Sequence, residues 1–375
     1  MLKRLHLQQV TVFKDADFEF GPGLNVLVGD NGTGKTQALK LGYLFCRAWP
    51  DLMTKRNTLS AQRAEVYIDE RLAGLFRVKG AEELIRHGHK NGARMDADVQ
   101  GHIPTVQVRT GSVPPPTSPG LEEPMGWSVA IRRGKTDQAA RVQAETIPDN
   151  AAGNAFMPRP VYVPSKEIVS LFKGLVGLFE NYRGFPLDDT YRDLAVALST
   201  LETTRQNPLL PEVAHRIRTL LGGDLKLDGD DLVFIREDGS KLQAQLMAEG
   251  HRKLALLLYM LRTGLIEIGS TVFWDEPEAN LNPAAIRLLA EALHVIAGMG
   301  AQVILATHSL FLLREFEILQ QRDGADRARP VRYFGLGAAK SGVKLTQGDD
   351  IAAIDPLVLL DENLEQSGRY NEAAS

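Results

Sequence analysis

Cysteine is nearly absent. Cys46 is the single one in 375 residues, so no disulfide can close within the chain and no thiolate zinc site can form. No apolar run is long enough to span a bilayer, although apolar residues make up 44% of the chain. The opening MLKRLHLQQVTVFKD alternates apolar and polar residues and lacks the apolar core of a signal peptide. Neither charge sign dominates: Lys plus Arg is 43, Asp plus Glu is 47, and the formal net charge is −4. That balance excludes whole-surface attraction to nucleic acid and leaves only local basic patches. Internal repeats and long heptad runs are missing too, which excludes solenoids and coiled coils. What remains is a soluble globular chain, expected in the cytoplasm, with room for one large domain with insertions or for two lobes.

The most informative stretch is GDNGTGKT, Gly29 to Thr36. An apolar run, Leu24 to Val28, precedes it and a helical pattern begins near Lys35, which is the strand, loop and helix order of a phosphate loop. Gly29, Gly32 and Gly34 let the backbone turn tightly and approach a ligand closely. Successive backbone N–H groups then form an anion nest, and the positive end of the next helix adds to it. Lys35 supplies a mobile cation for β and γ phosphates, and the Thr36 hydroxyl can bind Mg²⁺.

Hydrophobic periodicity outlines the rest. Strands are expected at the N-terminus, with a Gly21-Pro22-Gly23 turn before the strand at 24–28. The helix after the phosphate loop should end by Pro50. Ala64 to Ile68 reads as a short strand, with short helices at Arg71 to Phe76 and Glu82 to Ile85. From Gly88 to Gly126 the pattern loosens into an extended loop that includes Pro-rich Val113 to Pro119. His87 and His89 sit in polar loop sequence, without carboxylate or thiol partners at ligand spacing, and read as solvated. Trp127 to Arg132 and Val161 to Val163 read as strands, Ala151 to Pro158 as a loop, and helices should fill Ile168 to Phe179, Asp188 to Leu198 and Val213 to Leu221. Short strands follow to Gln245, with an Asp238-Gly239 hairpin turn. A leucine-rich helix runs from Gly250 to Arg262, and Asn282-Pro283 caps another. Late strands at Val331 to Phe334 and Gly342 to Leu345 and a helix over Asp355 to Glu365 complete the pattern.

Three later segments complete the phosphate loop. VFWDEPE places Asp275 and Glu276 at the end of a buried strand, where adjacent acids are costly unless a cation needs them. Asp275 can hold Mg²⁺ and Glu276 can polarise an attacking water as general base. VILATHS places His308 just past another strand, in reach of a γ-phosphate or that water. The third segment is MAEGHRK, Met247 to Lys253. With these four motifs in order, the chain resembles an ABC-type ATPase of the SMC, RecF and OLD-like branch, often described as an AAA-family ATPase.

The resemblance covers both ends of the chain and leaves the insertion near 85–160 without a named motif. It implies an α/β P-loop NTPase: an ABC-ATPase head with a mixed central sheet, an antiparallel β subdomain and a helical lobe. Residues 1–165 would be the first part of the ATPase lobe, 166–264 a mainly helical lobe ending in the signature helix, and 265–375 the remainder of the ATPase lobe. It implies ATP and Mg²⁺ as ligands, with Gly29, Asp30, Asn31, Gly32, Thr33, Gly34, Lys35 and Thr36 around one nucleotide in cis. Thr36 and Asp275 would serve the metal; Glu276, His308 and Lys35 would be catalytic. Glu249, Gly250, His251 and Arg252 would meet the γ-phosphate of a second head's nucleotide, using the start of their helix as a positive dipole end. Asn280 to Asn282 would be the D-loop at that interface. The chain departs from the family at Ala248, where serine is usual, at His251 for Gln or Glu, and at Asn282 for Asp or His. No glutamine stands as the Q-loop, whose place Ser165 to Glu167 takes.

The implied partner is a second head, giving a homodimer or a larger homo-oligomer, with no membrane. Three roles follow. The first is a regulator in prokaryotic defence, working on a separately encoded effector such as a nuclease or toxin, since no Toprim-like acidic cluster follows His308. The second is a RecF-like repair ATPase that binds DNA through Lys79 to Lys90, Arg94, Arg132, Arg133 and Lys135. The third is a transporter's ATP-binding subunit.

Overall fold

The computed structural model describes residues 1–53, 61–89, 92–99, 106–108, 127–132, 141–144, 158–182, 185–199, 211–229, 231–323, 331–339, 342–354 and 358–374. In chain order the strands and helices are β1 (Leu2–Val10), β2 (Phe13–Glu19), β3 (Leu24–Gly29), α1 (Lys35–Met53), α2 (Ala61–Phe76), β4 (Ala93–Val99), β5 (Val106–Val108), β6 (Trp127–Arg132), β7 (Arg141–Ala144) and β8 (Val161–Val163). Then come α3 (Leu175–Asn181), α4 (Asp189–Leu198), α5 (Pro211–Leu221), β9 (Gly223–Asp228), β10 (Asp231–Arg236), β11 (Lys241–Gln243) and α6 (Glu249–Arg262). The chain continues through β12 (Thr271–Asp275), α7 (Pro283–Gly298), β13 (Gln302–Thr307), α8 (Leu310–Asp323), β14 (Arg332–Ala339), β15 (Gly342–Gly348) and α9 (Val358–Ala374).

The central sheet is mixed, in the order β15-β14-β3-β13-β12-β8. Its strands are parallel except β15, which returns antiparallel on β14. β3, β12 and β13 are buried along their whole length, as the unbroken apolar runs before the phosphate loop, DEPE and THS require. Alternation then sorts their side chains between two cores. Val26, Val28, Val272, Trp274, Val303 and Leu305 pack with α6, α7 and α8. Leu27, Phe273, Ile304 and Ala306 pack on the other face with α1, α2 and the inner side of a mainly antiparallel sheet. That second sheet runs β2-β1-β4-β5-β6-β7, and β9, β10 and β11 form a third. The Asp238-Gly239 turn joins β10 to β11, with Arg236 N–H donating to Ser240 O at 3.0 Å. Parallel pairing puts the C-terminal ends of β3, β12 and β13 at one edge, where ligands bind in such sheets.

Several local expectations give way to tertiary structure. Residues 61–76 form one helix, not a strand and a separate helix. Ala64, Ile68, Leu72 and Leu75 repeat at helical spacing and are at most 1% exposed, which outweighs the β propensity of Val66, Tyr67 and Ile68. α1 continues through Pro50 to Met53, since proline in a last turn removes only one hydrogen bond. The loose stretch after Gly88 contains β4, paired antiparallel with β1 from Leu2↔Val99 to Gln8↔Arg94. Its buried face is Ala93, Met95, Ala97 and Val99, too small and mixed to read as a strand. The helix expected over 168–179 is a 3-10 turn, Val169–Leu171, followed by α3, with the break at Gly174. The strand ending at Gln245 stops at Gln243, and the last helix begins at Val358 and runs to Ala374. The Pro-rich stretch 113–119 and the loop over 151–157 lie outside the described residues. Among the described residues no helix is long and apolar enough to cross a membrane.

Candidate functional site

The phosphate loop joins β3 to α1, and two of its glycines are required by space. A Cβ at Gly29 would lie 2.2 Å from the Leu336 carbonyl oxygen, and one at Gly34 would lie 2.6 Å from Phe13 Cζ. Gly34 also holds φ +90, which side chains disfavour. Lys35 folds over the loop, its Nζ donating to Gly29 O at 2.7 Å and Asp30 O at 2.8 Å. Burial pushes the Lys35 ammonium down to about 8, against the pull of Asp275 and Glu276.

At the end of β12, Asp275 is 5% exposed and accepts from Thr36 Oγ1 at 3.1 and 2.9 Å. Burial raises its carboxyl to about 6. A hydroxyl and a buried carboxylate side by side are hard oxygen donors, and they suit Mg²⁺ completed by phosphates and water. Glu276 follows at φ +48, its N–H donating to Ala306 O at 2.9 Å. Its half-exposed carboxylate lies 3.6 Å from His308 Nε2. Burial, then Lys35, hold the His308 imidazole below its ordinary range, so it is neutral at pH 7. The structure therefore brings Lys35, Thr36, Asp275, Glu276 and His308 into one crevice.

Residues that the sequence did not single out complete this crevice. Glu278 accepts from Thr307 Oγ1 at 2.6 Å and from His308 N–H at 3.1 Å, fixing the backbone beneath the histidine. Buried Lys253 donates to the Glu276 carbonyl oxygen at 3.1 Å. A cavity of about 410 Å³ adjoins the loop, lined among others by Thr11, Val12, Asn31, Arg86, His87 and Val343. His87 lines this pocket and stays exposed, in keeping with a solvated loop residue. Arg86 N–H bonds Gln9 O at 2.8 Å, which fastens this segment to the β1–β2 turn.

The signature segment is separate. Ala248 caps α6 without a side-chain bond. Glu249 Oε1 accepts from Asn280 Nδ2 at 2.8 Å, and Gly250 packs on Asn280 and Leu281. Half-buried His251 follows on the same turn. Arg252 donates to Glu167 Oε2 at 2.7 Å and to Met247 O at 2.7 Å, so its guanidinium is engaged within the chain. Among the described residues no hydrogen bond or ion pair joins Glu249 to Arg252 with Gly29 to Thr36. Asn282 caps α7, its side chain accepting from Ala285 N–H at 2.9 Å.

Two protein-family models match the chain. An AAA domain model matches residues 4–92, which hold the phosphate loop. A second, described as "AAA domain, putative AbiEii toxin, Type IV TA system", matches residues 202–314, which hold the signature segment, DEPE and THS. Over these two segments the chain is similar to AAA-domain proteins. Its fold is the mixed α/β P-loop head described above. Solved structures similar to this chain include the SMC head domain from Thermotoga maritima, 13% identical, covering 92% of this chain and 98% of that one at TM-score 0.45. An SmcHead bound to the C-winged helix domain of ScpA is 14% identical, covering 94% and 98% at TM-score 0.49. A third is the Smc head domain with an extended coiled coil bound to the C-terminal domain of ScpA derived from Pyrococcus furiosus. It is 13% identical, covering 97% of this chain and 99% of that one at TM-score 0.48. No curated protein matches this chain.

Proposed function

We propose that this head binds and hydrolyses MgATP, closes on a second copy of itself around the nucleotide, and so regulates a separately encoded effector in prokaryotic anti-phage defence. The observation that carries the reading is the convergence of Lys35, Thr36, Asp275, Glu276 and His308 at one edge of the central sheet. Gly29 to Thr36 wrap the phosphates, and Lys35 meets the β and γ oxygens. Thr36 and Asp275 would hold Mg²⁺, which when bound offsets phosphate charge. Glu276 takes the proton of the attacking water, and neutral His308 orients that water or the γ-phosphate through its ring nitrogen. The 410 Å³ cavity beside Asn31 gives room for the nucleoside.

In this reading residues 1–165 and 265–375 make the lobe that binds ATP in cis, and 166–264 carry the signature. The detachment of Glu249 to Arg252 from the head's own phosphate loop supports their use on a partner's nucleotide. The engagement of Arg252 with Glu167 leaves that contact to the first-turn backbone, Glu249, Gly250 and His251. The AbiEii-type match over 202–314 favours the defence role. DNA binding is less favoured, because Arg94 is paired with Asp96 at 2.7 Å.

The test is Glu276→Gln with ATP and Mg²⁺. Light scattering should show a dimer that persists, and hydrolysis should fall by about 100-fold or more, the scale of losing a general base. Turnover at the wild-type rate would remove Glu276 as base. A monomer with ATP bound would remove the homodimer.

A further inference from the structure

Lys253 lies one turn into α6 and is 3% exposed. Burying an ammonium is costly unless something specific compensates it. Its compensation is of two kinds. Glu249, Glu278, Glu276 and Glu167 supply the surrounding negative charge, in that order of effect. Its direct hydrogen bond, however, goes to a backbone atom, the carbonyl oxygen of Glu276, at 3.1 Å.

Glu276 is an unusual residue to hold. It has φ +48, a left-handed conformation that residues with a Cβ disfavour. Such a conformation persists only where its surroundings over-determine it. Three bonds do so here. Its N–H donates to Ala306 O at 2.9 Å, its carbonyl accepts from Ala279 N–H at 3.2 Å, and Lys253 closes on the same carbonyl. The first two come from the sheet and from the local turn. The third comes from the signature helix. The first turn of that helix also touches the D-loop through Glu249–Asn280 and through Gly250 on Asn280 and Leu281.

We infer that Lys253 is a positioning residue for hydrolysis: it ties the backbone of the general base Glu276 to the signature helix, so that the carboxylate is aimed when that helix is docked. This inference rests on the proposed roles of Glu276 and α6. In a closed dimer the signature helix of each head sits on the other head's nucleotide. Any shift of α6 on docking is passed by Lys253 to the glutamate of its own head. Turnover at one nucleotide then depends on engagement of the other, with no contact between the two.

The experiment compares Lys253→Met, Lys253→Arg, Glu276→Gln and the double variant Lys253→Met/Glu276→Gln. Steady-state ATPase kinetics, binding of a fluorescent ATP analogue and thermal melts are measured on each. Lys253→Met should lower kcat by about 10- to 100-fold and leave KM within about threefold, since the bond aims the base without touching ATP. Lys253→Arg, which keeps a charged donor, should recover kcat to within about fivefold of wild type. Because Lys253 acts through Glu276, the double variant should turn over within about twofold of Glu276→Gln alone.

A folded Lys253→Met with wild-type kcat, or with KM rising as kcat falls, overturns the inference while Glu276→Gln stays inactive. So does a double variant whose losses multiply. If Lys253→Met loses its cooperative melt, Lys253→Arg decides: folded and active within about fivefold supports the role, folded and as slow as Glu276→Gln overturns it. Full activity in Glu276→Gln would instead remove the parent reading, whatever Lys253 does.

Discussion

Thr36 Oγ1 donates to the Asp275 carboxylate, 3.1 Å from one oxygen and 2.9 Å from the other, and so joins the first turn of α1 to the end of β12. Residues 239 apart in the chain meet there because β13 lies between β3 and β12 and aligns their ends. The pair is a ready oxygen set for Mg²⁺, and it leaves a carboxylate almost without water.

Asp275→Asn should therefore stabilise the ligand-free protein and abolish its activity. Burial holds the folded carboxyl at about 6, above its ordinary value of 3.8. A raised carboxyl favours the fold most below its unfolded value, and that contribution is lost as pH rises through 6. At pH 7.5 the ionised, buried group opposes folding, and asparagine removes it. We expect a gain of about 1–3 kcal/mol at pH 7.5, closing towards pH 4, with Mg²⁺-dependent hydrolysis at least about 100-fold slower. Urea melts across this pH range check the first part. A variant less stable than wild type at pH 7.5 contradicts it.

Lys35 gives a second pH dependence, in ligand affinity instead of stability. Its ammonium titrates at about 8 before phosphates arrive. Anionic phosphates favour the charged form, so binding above pH 8 must draw a proton from solution. ATP affinity should fall by about tenfold per pH unit well above 8. Titration calorimetry at pH 9 in buffers of different ionisation enthalpy should show uptake approaching one proton, and Lys35→Ala should bind no ATP. Equal apparent enthalpies in all buffers would count against this.

Much of this site was legible because phosphate chemistry tolerates few residues. Gly29 is dictated by the Leu336 carbonyl and Gly34 by the Phe13 ring and its own φ of +90, and Asp275, Glu276 and His308 stand at ends of unbroken apolar strands. Illegible were the residues whose meaning lies in tertiary contact. Glu278 reads as one more acid until Thr307 and His308 close on it. Lys253 is one more lysine of the MAEGHRK segment until its Nζ is seen on the Glu276 carbonyl. Arg86 and His87 acquire a role only where Gln9 pins them to the β1–β2 turn. In the fold, β4 was hidden by a core face of alanine and methionine, and α2 by a local run of Val66, Tyr67 and Ile68.

Asp193 holds three elements together and should be among the costliest side chains to remove. It is 8% exposed on α4, accepts from Tyr43 on α1 at 2.8 Å, pairs with Arg71 on α2, and lies 3.5 Å from Arg47. Asp193→Ala leaves both guanidiniums short of a counter-charge, although Asp189 and Asp51 still face them. We expect a loss of about 3–5 kcal/mol in denaturant unfolding, and a smaller one for Asp193→Asn, which keeps acceptors for Tyr43 and Arg71. A loss under about 1 kcal/mol would show that the other two acids suffice.

Gly250 tests the contact between the signature helix and the D-loop. A Cβ there would sit 2.8 Å from Asn280 O and 2.8 Å from Leu281 Cδ2, and the carbonyl cannot move without the loop. Gly250→Ala should push the first turn of α6 off residues 280–281 at a cost of about 1–3 kcal/mol, the range for overpacking. Gly298, with nothing within 4 Å of its Cβ position, is the control. Gly298→Ala should be neutral or stabilising by up to about 1 kcal/mol. ATP affinity of the single head should stay within about twofold in both, because neither residue lines the cis site. Dimerisation of the Glu276→Gln protein should weaken by about tenfold or more with Gly250→Ala and remain unchanged with Gly298→Ala, since only the first displaces the surface assigned to the partner's nucleotide. Sedimentation velocity with saturating ATP separates the two, and equal dimer fractions would show that this turn does not face the second head.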